Sequence, residues 1–456
     1  MSQLTDLSIA EASTQIAAKA ISPVELTRAH LERIETLNPK LNAYLLVSSD
    51  LALEQARTAE TEILHGQYRG ALHGIPLALK DLYETKGLRT SAGSPFLRNN
   101  ISPKDSTAMR KLYEAGAILL GKLNMHEWAL GVTGDNPHFG VCLNPHDPER
   151  ICGGSSSGSA AATAAHMAMG TLGSDTRGSI RIPAALCGIV GLKPTYGRVS
   201  LNGAYPLSWN LDHGGPMTRT VEDAALLLNA ISGYDADDPF SSNTPTEDFT
   251  ADMKNGIQGW RIAVDTGSYT GDSAIVSAEV QMAYQQAAQT LRDLGANTHE
   301  VDMGFLIYAY NASRGMVSAD AAAFHQLRLM SDPEMFGEDV LKRLRGDQPP
   351  NAAAYAQIRH DQMVLKRQFD RFFREFDLLL LPTVPFPAVR RDDTTAMDKG
   401  RLHYSRFTAP FNMAGVPAIS VPCGVNAGNM PIGLQIIGGV WQESPVIRAA
   451  WAWEHR

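Results

Sequence analysis

The chain has 456 residues, 44% of them hydrophobic and 19% charged, with a formal net charge of -8. That balance supports a packed core and excludes a disordered polymer, while an acidic chain without a Lys/Arg cluster argues against a nucleic-acid surface. The length exceeds the point at which a single core normally stops growing, yet no linker is visible, so one large domain with an attached subregion is expected.

In chain order, MSQLTDLSIAEAS lacks the basic region and apolar run of a secretory signal. Residues 1–70 read as N-terminal helices, with Ser22-Pro23-Val24-Glu25 as a capping box that places Pro at the first helical position. A core region, residues 71–235, opens with the strand-like run Gly74 to Leu79, which ends on Lys80-Asp81. A helix from Thr107 to Ala115 and a strand from Ala117 to Leu120 follow. Residues 131–159 are rich in Gly, Asn and Pro, and a loop of this length inside a compact domain is usually functional. Residues 240–375 read as a helix-rich subregion over a pocket, with helices at Ala278 to Leu294 and Ala353 to Phe373, and residues 376–456 return to the core. Strands are expected at Trp260 to Val264, Asp377 to Leu381, Ala418 to Val421 and Ile432 to Ile437. Such alternation implies an α/β layered fold with a buried sheet. No apolar run approaches the roughly 20 residues needed to span a bilayer. The four cysteines, Cys142, Cys152, Cys187 and Cys423, form no Cys-x-x-Cys pair and read as reduced thiols, which makes the cytoplasm the expected compartment.

Three segments carry chemistry. Gly153-Gly154-Ser155-Ser156-Ser157-Gly158-Ser159 puts small residues and hydroxyls before an Ala-rich helix, whose N-terminus offers unpaired N–H groups. Gly173 to Pro183, GSDTRGSIRIP, places a glycine-containing turn beside a serine, which can present backbone N–H groups to a developing oxyanion. Lys80 ends an apolar run, where desolvation would let it lose its proton near neutral pH. Taken alone, each segment also has a plain reading: a helix cap, a turn and a solvated strand end.

Together and in this order, these segments resemble the amidase signature family. The likeness runs from Pro23 through Ala224 and includes Asn136, Phe139-Gly140, Asn144-Pro145, Gly191 to Thr195 and Gly215 to Thr220; it resumes at Asn412 to Gly415 and Pro417 to Pro422. The resemblance implies an α/β/α fold with a large mixed central sheet covered by helices. It also implies a Ser-cisSer-Lys triad in which Ser179 is the nucleophile, Ser155 the relay and Lys80 the base, so that an amide-type C–N bond is cut through an acyl-enzyme. The backbone N–H groups of Thr176, Arg177, Gly178 and Ser179 are then the expected oxyanion donors, and Ala129 and Gly131 fall where the family's acyl pocket lies. Carboxamides, anilides and carbamates (a urethanase activity) all suit such a triad, as do esters, and no metal or cofactor is required. The expected partner is a small-molecule amide or carbamate, with no nucleic acid and no membrane, and a homodimer is left open.

Arg177 stands where the family commonly has glycine. Its guanidinium is expected either to point outward to a local carboxylate or to face the pocket and alter substrate choice, and its backbone to be strained if φ is positive. Trp209 and Met125 can supply apolar walls, as can Tyr308, Tyr310, Phe324 and Met335. His126, His138 and His146 do not make a zinc motif. Two other readings compete. Gly154 to Gly158 formally fits the G-x-S-x-G elbow of an α/β-hydrolase with Ser156 as nucleophile, but Asn144 to Arg150 cannot be the buried strand that elbow needs. The chain also resembles the A component of a glutamyl-tRNA amidotransferase complex, although Tyr404-Ser405-Arg406-Phe407 lacks the acid that group carries ahead of Thr-x-Pro.

Overall fold

The computed structural model describes residues 2–345 and 350–456. Among the described residues, eleven strands form one mixed sheet: β1 (Tyr44–Val47), β2 (Pro76–Lys80), β3 (Ile118–Leu123), β4 (Gly170–Asp175), β5 (Val190–Lys193), β6 (His213–Thr218), β7 (Arg261–Asp265), β8 (Asn297–Val301), β9 (Leu378–Pro382), β10 (Ala418–Val425) and β11 (Pro431–Ile437). Their spatial order is β1-β3-β2-β4-β6-β5-β10-β11-β9-β7-β8. Central strands such as LLLLP in β9 are buried along their whole length, because helices cover both faces and leave no solvent side to select for alternation. The expected α/β fold with a large mixed sheet is what the chain adopts.

Local chemistry explains most boundaries. The Pro23–Leu41 helix starts on Ser22, whose side chain accepts the Val24 and Glu25 N–H groups while Glu25 reaches back to the Ser22 N–H. The Ser157–Ala164 helix, SGSAAATA, is small enough to sink into the core. A Cβ at Gly158 would stand 2.4 Å from the Ala43 carbonyl oxygen and 2.5 Å from the Asn124 nitrogen, so the helix packs against backbone that no larger residue would tolerate. The Leu306–Phe324, Glu338–Arg345 and Thr394–His403 helices lie between β8 and β10 in the chain, and the first packs against the second. Among the described residues, no helix is long and apolar enough to cross a membrane.

Candidate active site

β2 lies parallel to β4, with Leu79 opposite Leu172, so Lys80 and Ser174 emerge together at the carboxyl ends of adjacent strands, where open α/β sheets form their crevices. Lys80 is fully buried, and its Nζ donates to Ser155 Oγ at 2.7 Å and to Ser174 Oγ at 2.8 Å. Among the described residues, no carboxylate touches it. Burial disfavours the ammonium form and lowers the pKa to about 7, against the more distant Asp212 and Asp175 charges, which pull upward. This amine is therefore poised to accept a proton near neutrality.

The peptide bond between Gly154 and Ser155 is cis, and Ser155 is fully buried. Ser179 follows β4 in the turn that leads to the Arg181–Cys187 helix. Its carbonyl accepts the Ser156 N–H at 3.3 Å, which ties the Ser179 turn to the Ser155 segment through the main chain. No hydrogen bond joins the Ser155 and Ser179 hydroxyls, so of the two expected links the structure shows the one between Lys80 and Ser155. Ser156 is excluded from the elbow role: its Oγ donates to the Ser174 carbonyl at 3.2 Å and accepts the Ser174 N–H at 3.3 Å.

The oxyanion loop departs from expectation at one donor. The Gly178 N–H already donates to Asp175 Oδ1 at 2.7 Å, which removes it from the expected set, whereas the Thr176, Arg177 and Ser179 N–H groups have no acceptor among the described residues. Backbone strain is also misplaced in the sequence reading. The positive φ, +128°, falls on Gly178 and not on Arg177, and a Cβ at Gly178 would meet Thr408 Oγ1 at 2.2 Å.

Behind this loop stands a polar network the sequence did not reveal. Asp175 accepts from Arg181 twice at 2.9 Å, from the Gly178 and Ile180 N–H groups, and from Asn412 Nδ2 at 2.8 Å. Arg181 also donates to Gln435 and to Asn412. Burial alone would raise the Asp175 pKa, but the Arg181 and Lys193 charges and the Asn412 donor hold it well below the usual carboxylate range. A buried charge pair with every valence satisfied fixes the loop in one geometry. Motif residues from three distant segments meet here, and only their shared role as loop supports explains the combination.

A cavity of about 250 Å³ opens beside Ser174 and Thr176, walled by Ala129, Tyr205, Trp209 and Asp212. Ala129 lines this cavity. Gly131 does not: a Cβ there would stand 2.2 Å from the His126 ring, so this glycine makes room for the imidazole. Met125 is core, and Phe324 packs edge-on to both Trp128 and Trp209. Asp212, unassigned in the sequence, accepts Thr176 Oγ1 at 2.6 Å and the Leu207 and Ser208 N–H groups; burial lifts its carboxyl to about 6.

Among the described residues, Arg177 finds no carboxylate. Its Nε donates to Ser313 Oγ at 2.8 Å, a terminal nitrogen reaches the Tyr310 carbonyl at 3.3 Å, and the guanidinium lies 5.2 Å from the Tyr310 ring centre. Among the described residues, no group of three or more His, Cys, Asp or Glu is placed to hold a metal. His126 pairs with Asp339 at 2.8 Å and His138 with Glu127 at 3.2 Å. Cys142, Cys152 and Cys187 are buried free thiols under the relay loop, with the first two sulfurs 3.8 Å apart.

Against known proteins, the family model described as Amidase matches residues 25–447. The chain is 39% identical to the A component of the glutamyl-tRNA(Gln) amidotransferase of Geobacter sp. (strain M21), over 99% of this chain and 97% of the relative. It is 40% identical, with the same coverage, to the protein of that name from Trichlorobacter lovleyi. It superposes, with a TM-score of 0.93, 32% identity and 98% coverage of both chains, on a structure described as an unexpected vestigial protein complex that reveals the evolutionary origins of an s-triazine catabolic enzyme. A bacterial aryl acylamidase of the amidase signature enzymes gives 0.89 and 29%, over 98% of this chain and 96% of that one. These likenesses correct the expected partners. Relatives matched over nearly their whole length are named as subunits, so the expectation of an enzyme meeting only a small molecule does not stand. The missing acid ahead of Thr408 misled because one position weighs little against identity along the entire chain.

Proposed function

The chain belongs to the amidase signature family, and from that premise we propose that it is the amide-hydrolysing component of a multi-protein assembly like that of its amidotransferase relatives, with Ser179 as nucleophile. The observation that carries this reading is the buried Lys80 amine, which titrates near neutrality 2.7 Å from Ser155 Oγ with no carboxylate against it among the described residues. Lys80 takes the Ser155 proton, Ser155 takes that of Ser179 once the Ser179 side chain rotates toward it, and the Ser179 oxygen adds to the amide carbonyl. The Thr176, Arg177 and Ser179 N–H groups receive the oxyanion, each donor contributing roughly 3 kcal/mol to the transition state. The proton passes back to the leaving nitrogen, and water cleaves the acyl-enzyme. Asp212 holds the Thr176 side chain and Asp175 the Gly178 main chain, so the donors are aimed before substrate arrives.

The assembly part rests on the amidotransferase relatives and on the vestigial-complex neighbour. The test is to isolate the tagged full-length chain from its own host and measure mass and amide hydrolysis together. A stoichiometric partner, with hydrolysis abolished by Ser179→Ala in the intact assembly, is expected. A partner-free chain that is fully active would remove the assembly, and undiminished hydrolysis in Ser179→Ala would remove the nucleophile.

A further inference from the structure

One buried carboxylate ties the turn before Ser179 to the wall of the cavity beside it. Asp212 Oδ1 accepts the Thr176 hydroxyl at 2.6 Å, while Oδ2 accepts the Leu207 N–H at 2.8 Å and the Ser208 N–H at 3.0 Å. Thr176, Leu207, Trp209 and Asp212 all line that cavity, so a group seated there meets the turn and the wall together. A second carboxylate anchors the wall from its far side. Asp320, on the Leu306–Phe324 helix, accepts Ser208 Oγ at 2.6 Å, Asn210 Nδ2 at 3.0 Å and the hydroxyl of Tyr355 at 2.7 Å, and Tyr355 belongs to the Ala352–Glu375 helix. Both carboxylates are buried, and among the described residues neither forms an ion pair. Asp175 is neutralised by Arg181 at 2.9 Å, whereas the Asp212 charge stands unopposed in a low-dielectric interior and reaches Lys80. Against the burial that lowers the Lys80 pKa, Asp212 is the larger of the two charges that raise it. The other titratable groups around Asp212 are Asp320, a like charge; Tyr83 and Tyr196, phenols that burial keeps protonated; and His213, which burial keeps neutral.

We propose that Asp212, steadied by Asp320 through Ser208, is a positioning residue for amide cleavage: it aims the Thr176 N–H at the oxyanion and keeps the Lys80 amine basic enough to take the Ser155 proton. The proposal rests on the amide-hydrolase reading above and adds to it the group that sets the loop and the base together. A β-branched side chain held in one rotamer fixes the backbone that carries it, and a donor displaced by about 1 Å loses much of its hold on the transition state. A lysine sealed in the interior without a nearby negative charge would stay neutral, yet it would be a weaker base and a poorer acceptor for a serine proton. Substitution separates the two effects. Asp212→Asn can turn its amide oxygen to the Leu207 and Ser208 N–H groups and its NH2 to the Thr176 hydroxyl, which keeps the bridge and removes the charge. Ser208→Ala does the reverse: it cuts the tie to Asp320 and leaves the Asp212 charge in place.

The test reads the base separately from turnover. The full-length chain, with any partner it carries, is followed in its hydrolysis of glutamine, benzamide and acetanilide, and the Lys80 amine is titrated by NMR in protein grown on isotope-labelled lysine, with Lys80→Met identifying its signal. Asp212→Asn is expected to lower both the Lys80 midpoint and the inflection in kcat/KM by roughly half a pH unit or more. Ser208→Ala should cut kcat about tenfold while KM and the inflection stay where they are. A structural role alone would lower the melting temperature and the amount of active protein without moving the titration. A Lys80 midpoint unmoved in Asp212→Asn, or a kcat unchanged in Ser208→Ala, overturns the proposal. A lowered midpoint together with no hydrolysis of any of the three amides by the unmutated chain keeps the control of Lys80 by Asp212 and overturns the hydrolase reading instead.

Discussion

On the proposed mechanism, Lys80 sets how activity depends on pH. Its amine must be uncharged to accept the Ser155 proton, so kcat/KM is expected to climb as pH rises through about 7 and to level off above. A pH–rate profile without an inflection in that region would separate Lys80 from the chemistry. The same depressed pKa has a stability consequence. Between about 7 and the ordinary lysine value the unfolded chain binds a proton that the folded chain does not, so stability rises with pH across that window. Lys80→Met should remove both dependences. Ser179→Ala is expected to lower turnover about a thousandfold or more while the melting temperature stays put. Gly178→Ala is the structural counterpart: positive φ and the Thr408 hydroxyl 2.2 Å from the new Cβ should cost roughly 1–3 kcal/mol, read by thermal melting, with the loss of activity exceeding the loss of folded protein. The proposed triad positions were named from the family resemblance of three segments together, since each segment alone reads as a cap, a turn or a strand end. Asp212 and Asp175 were not, since a carboxylate whose partners come from remote segments looks, in sequence, like any other.

At the level of elements, the apolar runs announced themselves: the strand expected from Gly74 is β2, and those expected near residues 262, 379, 420 and 434 are β7, β9, β10 and β11. β4 and β6 escaped, although they hold the site. GTLGSD and HGGPMT contain residues with weak strand preference and no alternation; what makes them strands is pairing with each other, Gly173 opposite Gly215, where side chains would collide. A Cβ on Gly215 would fall 2.2 Å from the Leu192 carbonyl oxygen. The Arg181–Cys187 helix depends on the Asp175–Arg181 pair in the same hidden way. Arg181→Met, which fills the space but abandons a buried carboxylate, is expected to destabilise by about 3–5 kcal/mol, while the double change with Asp175→Asn should recover part of it. Chemical denaturation of both variants checks this, and equal losses would mean the pair is dispensable.

For the molecule as a whole, the net charge of -8 repels anions at long range, so raising ionic strength toward about 0.1 M is expected to speed the association of an anionic amide and to leave that of a neutral amide unchanged, a difference that stopped-flow mixing reads. The sequence alone raised the assembly reading only as a competing one, because a docking surface carries no motif of its own. Beneath the relay loop, finally, the sulfur atoms of Cys142, Cys152 and Cys187 are sealed from solvent, and burial raises Cys152 well above an ordinary thiol while Cys423 is pushed up to about 12. An alkylating reagent can therefore mark the first three only when the layers above them part. Their modification rates form a built-in clock for how often the catalytic half of the protein breathes open, and a bound substrate should slow all three hands together.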